Sequence, residues 1–567
     1  MPLERWLALA PAGRRTWSLL ALLFLLTFWF QACLAARSDS VTIDEFGHVP
    51  TGLYFWQTGD FTPDPMNAPL SRLVSAVPLF SQQPAFTTPP GTPYWALGEV
   101  FMHQNAARYQ SLFESARSST IVLALVLGAL IALWASRLYG RVAGLLALFL
   151  FCFSPCMLAH GHLATLDVPG ALGFLVAVLA AWRFLERPTP RRAALAGGAI
   201  AVATLLKLSG SILVFLLPIV TAISAGRERG DPARPSRLRW LALLALSGAV
   251  FLGVLNLGYG FQGTLTAIGT GDWSPGGALD RVRQATPWVR LPLPGPFLAG
   301  VDQIMTVGKN RQPQFFLAGE MSSEGWWYYH LAAFAFKTPL PLLAALLLAI
   351  GSWVTGRTRG RRDYCLFLAI VLIFAFNTLF NSLDIGVRHV LPVYPLAFIV
   401  AAPIFAAPFL GLSERRRGVS LITAGLAAAS LVWFASAPLS VAPRYLQYFN
   451  EMAGGPSRGH RMLIDSNLDW GQDLLRLRQY MREHGISSVQ LAYFGRVDPR
   501  IYGIAYEPIE RGRSHGWTAV SASFLMGRPY YWYYQGEIQW TPTGAYTWLQ
   551  GYTPVARAGS MFIFNLP

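Results

Sequence analysis

The chain has 567 residues, 53% of them hydrophobic and only 13% charged, and a mean hydropathy of +0.39, which is too apolar for a soluble protein of this size and marks a membrane protein. Its formal net charge of +16 could suggest nucleic acid, but the arginines fall in short clusters between apolar runs and not in one stripe, so nucleic acid is excluded as a partner. The four cysteines, Cys33, Cys152, Cys156 and Cys365, lie in apolar runs and form neither a disulfide framework nor a metal-ligand spacing.

Eleven apolar runs are of a length to cross a bilayer as helices: roughly 16–36, 118–136, 142–158, 167–185, 191–206, 209–226, 238–258, 330–354, 364–381, 389–410 and 419–440. The first follows Arg14 and Arg15 and ends in small residues, as a signal peptide does. Its Trp- and Phe-rich run is long for one, and it reads as an anchor helix. With a cytoplasmic N-terminus, the inner connections carry Arg137 and Arg141, then Arg183, Arg187, Arg191 and Arg192, then Arg227, Arg229, Arg234, Arg237 and Arg239, then the clusters GRTRGRRD (356–363) and SERRRG (413–418). The outer face receives a loop at 37–117, another at 259–329, short turns and the tail. The expected fold is therefore mainly α, a polytopic membrane protein of about 11 transmembrane helices over 1–440, with a small C-terminal α/β extracytoplasmic domain at 441–567.

This topology gathers Asp44, Glu45, Asp167, Lys207, Lys337, Arg388 and His389 near one membrane face. Only three lysines occur, Lys207, Lys309 and Lys337, all on or near that face. Lys207 can snorkel, whereas Lys337, in AFAFKTPLPLL, sits deeper and calls for a buried anion. Acids above the membrane and cations at its surface suit a reaction in which a hydroxyl is deprotonated while a lipid phosphate leaves. In an extended segment the adjacent Asp44 and Glu45 would point to opposite faces, so Asp44 is assigned to the substrate and Glu45 to orientation. Both could instead cap a short helix starting near Phe46, and Asp167 could likewise be an N-cap. His160 and His162, an i, i+2 pair on a loop, are a weak metal signal, and no metal site is expected.

The pattern Asp44-Glu45-x-x-His48-x-x-x-Gly52-x-Tyr54-x-x-x-x-Gly59-Asp60, followed by NAPLSRLVSAVP (67–78), resembles the first outer loop of the polyprenyl-phosphate-sugar-dependent glycosyltransferases of the GT-C superfamily, which include protein O-mannosyltransferases and the lipid A aminoarabinose transferase. SPCMLAHGHLATLD (154–167), TLLKLSG (204–210), GWWYYHLAAFAFKTPLPLL (325–343) and DIGVRHVLPVYP (384–395) are similar to its later segments. The resemblance implies a GT-C-like architecture and a multi-pass protein of the bacterial inner membrane. It also implies an inverting transfer from a polyprenyl-phosphate-linked sugar donor to a glycan, lipid or protein hydroxyl acceptor on the extracytoplasmic face. On that reading Asp44 is the base, Asp167 the second acid, and Arg72, Lys207, Lys337, Arg388 and His389 are candidates for the donor phosphate. No cofactor is required, although a divalent metal is compatible with the chemistry. Asn67 and Ala68 replace the His-Pro of mannosyltransferases, which speaks against mannose and a protein acceptor.

In the tail, HRMLID (460–465) and SVQLAYFG (488–495) read as strands around an amphipathic helix at 469–485, with further strands near 517–525 and 560–565. Asp469 and Gln472 have the spacing of a helix-capping pair, and Asp465 and Asn467 suit a turn. The aromatic run RPYYWYYQGEIQW (528–540) fits sugar stacking or an interface belt equally. A transporter or lipid-linked glycan flippase would also use many spans and intramembrane cations, but it would place charges near the midplane and show inverted repeats. A lipid-linked oligosaccharide ligase shares the same polar chemistry.

Overall fold

The computed structural model describes residues 11–227, 236–306, 314–355, 361–379, 383–410, 417–509, 514–534 and 537–567. Lys309 and most of the inner arginine clusters at 227–234, 356–363 and 413–418 lie outside the described residues, as do the side chains at 531–539.

A bilayer offers the backbone no water to bond, so apolar runs close their hydrogen bonds within themselves as helices. Helices occupy the expected runs, among them Pro11–Ser38, Tyr109–Tyr139, Asp167–Glu186, Pro190–Leu206, Leu213–Arg227, Arg237–Gly258, Arg361–Leu379, Val393–Leu410 and Arg417–Leu439. The chain is a multi-pass membrane protein. Among the described residues five helices are long and apolar enough to cross a membrane, and a sixth span exists if Arg141–Cys152 and Pro155–Gly161, bent by 62°, are one. Four shorter apolar helices stand beside them. The run expected as one span at 330–354 is broken into Tyr329–Lys337 and Leu340–Val354. Pro339 forces Thr338 into extended backbone (φ −104, ψ 130), and neither Pro339 nor Pro341 has an N–H to continue the ladder.

The segment carrying Asp44 and Glu45 is not extended. It is the first turn of a helix, Ile43–Thr58, opened by a capping box in which Thr42 Oγ1 accepts from Glu45 N–H and the Glu45 carboxylate accepts from Thr42 N–H. Gly59, at φ 67, ends it and donates its N–H to Phe55 O. Gly52 lets this helix lie on the neighbouring Pro69–Ala76 helix: a Cβ there would stand 2.1 Å from Arg72 O.

The tail contains a five-stranded sheet in the order Tyr506–Pro508, Val489–Ala492, Gly516–Ser521, Met561–Leu566, Ala556–Ala558; the first three strands are parallel and the others antiparallel. The helix expected at 469–485 starts later, spanning Leu474–Glu483, and buries Leu474, Leu477 and Met481. The strand expected at 460–465 is absent. Short 3-10 turns, Gly459–Arg461 and Asp465–Asn467, stand there, and the backbone between them bonds outside any sheet: Met462 O accepts from Ala318 N–H, and Asp465 N–H donates to Ser523 Oγ. Nor do Asp469 and Gln472 cap the helix: Asp469 accepts from Ser523 N–H, and Gln472 accepts from Trp470 N–H. One hydrophobic cluster joins Phe46, Leu53, Phe101 and Phe113 of the first outer region to Leu477, Leu491, Ala519 and Ile563 of the tail. Tail and outer loop thus share a core.

Candidate active site

The helix start at Ile43 presents its two acids about 100° apart, one residue's rotation around a helix. Glu45 faces inward with no exposure, where Arg117 Nε and Nη2 donate to its two oxygens at 2.8 and 2.7 Å. Its Oε1 also accepts from Ala164 N–H at 2.8 Å, which ties it to the loop before Asp167. Burial alone would raise the Glu45 carboxyl, but Arg117 and these hydrogen bonds hold it below the usual carboxylate range.

Asp44 turns instead to a cavity of about 360 Å³, which Asp44, His48, Tyr94, Trp95, Asp167, Lys207, Arg388 and His389 line together with apolar side chains including Met66, Leu208, Val301, Ile304, Met305 and Phe376. Arg388 Nη1 donates to Asp44 Oδ2. Lys207 Nζ donates to Asp167 Oδ1 at 2.7 Å and to Arg388 O at 3.1 Å, so the two ion pairs are linked through one backbone carbonyl. Gly170 makes room for this, since a Cβ there would stand 2.8 Å from Lys207 Cβ. Thr165 Oγ1 donates to Asp167 Oδ2 at 3.2 Å.

Burial pushes the Asp44 carboxyl above its ordinary range; Arg388 opposes that rise, and the charge of Asp167 adds to it. His48 Nε2 stands 3.8 Å from Asp44, and its Nδ1 pairs with Tyr94 Oη at 2.9 Å. Burial, with the nearby Arg72 and Arg388, drives His48 well below its usual value, so it is neutral at pH 7.

The structure therefore brings Asp44, Asp167, Lys207, Arg388 and His389 to one cavity, and holds Glu45, Arg72 and Lys337 apart from it. Arg72 is buried, bonded to Asp64, with its guanidinium 5.2 Å from the centre of the Tyr94 ring. Lys337 does not meet the expected anion. Its Nζ donates to the carbonyls of Leu446 (2.8 Å) and Asn467 (2.6 Å) and lies 4.1 Å from the centre of the Phe449 ring. Among the described residues no group of three or more His, Cys, Asp or Glu side chains is placed to hold a metal ion; His162 Nε2 is on Asp39 (2.9 Å), and His160 Nδ1 stands 3.8 Å from Asp167.

The sequence pattern gave the tail segment SNLDWGQD only a capping and turn role, yet it braces this site. Trp470 O accepts from Ile43 N–H at 3.0 Å, fixing the start of the Asp44 helix, and the Trp470 ring lies under the Arg388 guanidinium. Asn467 Oδ1 accepts from Val387 N–H at 2.9 Å, and its Nδ2 donates to Tyr329 Oη at 2.9 Å. The only hint in the sequence was the density of polar residues around a single Trp.

Residues 109–255 match the family described as dolichyl-phosphate-mannose-protein mannosyltransferase. No curated protein matches the chain. Among solved structures, the chain is similar to ArnT from Cupriavidus metallidurans in the apo state (16% identity, 97% of this chain and 98% of that chain covered, TM-score 0.46). It is also similar to the same protein bound to undecaprenyl phosphate (14%, 98% and 98%, 0.46) and to the apo oligosaccharyltransferase of Archaeoglobus fulgidus (12%, 87% and 62%, 0.43). The resemblance to the GT-C glycosyltransferases first carried by the outer-loop motifs is thus met by a family match over the helices between Tyr109 and Leu255.

Proposed function

We propose that the protein is an inverting membrane glycosyltransferase that moves a sugar from a polyprenyl-phosphate donor to a hydroxyl acceptor on the extracytoplasmic face. The observation that carries this is the single cavity in which a carboxylate of raised proton affinity, Asp44, stands with Lys207 and Arg388 among apolar side chains. The family matched over 109–255 is described by transfer from a dolichyl-phosphate sugar, which supports a donor of this class. The N-terminus is cytoplasmic, and about eleven apolar runs cross the membrane, the one at 330–354 as two helices broken at Thr338.

The acceptor oxygen attacks the anomeric carbon as the bond from that carbon to the phosphate oxygen breaks. The hydroxyl proton passes to Asp44, and the bonding pair leaves on the phosphate, where Lys207 and Arg388 neutralise it. In the resting arrangement Arg388 holds Asp44. A donor phosphate competes for that guanidinium and frees the carboxylate, so donor binding prepares the base. Asp167 keeps Lys207 and, through it, the Arg388 backbone in place. Arg72 and Lys337 support the walls and do not touch the phosphate.

The test is Asp44→Asn in purified protein with a polyprenyl-phosphate sugar. Donor retained in native mass spectra while transfer falls by about 10²–10⁴ supports the reading. Wild-type transfer by this variant rejects it. Mass spectrometry of cell-envelope glycans and lipid-linked sugars from a deletion strain identifies sugar and acceptor.

A further inference from the structure

A second cavity is larger than the one described above. It measures about 930 Å³ and lies between the helices Asp167–Glu186, Pro190–Leu206 and Arg237–Gly258. Its walls are apolar, formed by Val176, Leu179, Leu195, Val202 and Val250, and small residues open it. Gly198 is the clearest case: a Cβ there would meet only Val250 Cγ1, at 3.8 Å. Arg183, Arg191 and Arg192 also line it, and among the described residues no carboxylate does. Arg183 is in the last turn of its helix, Arg191 and Arg192 are in the first turn of the next, and the connection between them is short, so the three cations fall at one end of the groove. Arg192 Nη1 donates to Arg183 O at 2.6 Å, which pins its guanidinium there.

The dimensions fit one occupant. From Arg191 to Val202 the helix rises about 16 Å. That is roughly half the ~30 Å hydrocarbon core, the depth of one leaflet. A slot one leaflet deep, with apolar walls and three arginines at its mouth, matches the shape and charge of a single anionic lipid. Basic recesses between membrane helices attract such headgroups, because phosphate gains charge-assisted hydrogen bonds while the chain fills apolar surface. We propose that this groove is a binding site for an anionic diacyl phospholipid, separate from the Asp44 cavity and independent of the transferase reading. The lipid would knit three helices that otherwise leave a void.

The experiment uses the full chain purified in detergent and follows its thermal midpoint on adding dioleoyl-phosphatidylglycerol or dioleoyl-phosphatidylcholine. Phosphatidylglycerol should raise the midpoint by several degrees and phosphatidylcholine should not. The doubly substituted Arg183→Gln, Arg191→Gln protein should lose that selective rise. Gly198→Leu, which fills the groove without touching a charge, should lose it as well, and its own midpoint reports whether it folds. Arg388→Gln should keep the rise. Equal shifts from both lipids, or a selective rise that survives both groove variants, overturns the proposal. Loss of the rise in Arg388→Gln alone also overturns it, by moving the lipid to the other cavity.

Discussion

The Arg388 guanidinium lies 4.6 Å from the centre of the Trp470 ring while its Nη1 bonds the Asp44 carboxylate. A tail residue thus flanks the cation that sits on the candidate base, and the same residue's carbonyl holds the start of the base's helix.

Replacing Trp470 by Leu should remove the ring but keep the backbone bond. A cation–π contact contributes about 0.5–2 kcal/mol. Turnover should fall about 2–30-fold, with donor KM changed less than kcat, and Trp470→Phe should restore most of the loss. Steady-state kinetics of the three proteins decide it; identical kcat values would leave the ring a packing role only.

Arg388 lowers the proton affinity of Asp44 against the effect of burial. Removing its charge in Arg388→Gln therefore raises the Asp44 pKa further. The acid limb of the pH–kcat/KM profile, which reports the free enzyme, should move to higher pH, and the activity that remains should recover as pH rises. An acid limb that stays in place would mean that another group supplies the base.

Glu45 and Asp44 are adjacent, but their losses should differ in kind. Glu45→Ala takes the carboxylate from buried Arg117, which keeps only its bonds to the carbonyls of Ala36, Asp39 and Ser40, and breaking such an ion pair costs about 3–5 kcal/mol. The thermal midpoint should drop sharply while activity per folded molecule changes little. Asp44→Asn should do the reverse. Melting curves paired with activity normalised to folded protein separate the two.

Asp39 is where the tail is tied to the first helix. Arg476 Nη2 donates to its Oδ1 at 2.5 Å, and His162 Nε2 pairs with its Oδ2 at 2.9 Å. Burial raises its carboxyl, but Arg476, His162 and Arg117 together bring it down to about 2. A carboxyl whose folded value lies below its unfolded value stabilises the fold above the unfolded value of about 3.9, and that stability is lost as pH falls through about 2. Asp39→Asn should therefore lower the midpoint at pH 7 by an amount equivalent to about 2 kcal/mol, and the gap to the wild type should close near pH 2. Limited proteolysis at pH 7 should cut the variant's tail sooner.

The helices were legible because hydropathy over a run of residues is a local property. The break at Thr338 could have been read from the prolines that cause it, but 330–354 looked continuous by hydropathy alone. The acids were harder. An extended strand and a helix start both separate Asp44 from Glu45, and only the fold shows that the inner one is claimed by Arg117, 72 residues along the chain.

By itself the sequence determined that this is a multi-pass membrane protein and which acids and cations were candidates for its site, because apolar length and charge placement are set residue by residue. The tertiary structure decided which of them share a cavity. Lys337, Arg72 and Glu45 carry the same charges as their neighbours but are consumed by partners distant in sequence: two carbonyls, Asp64 and Arg117. A buried charge must be satisfied by whatever the fold brings beside it, and that pairing is not a property of any local stretch.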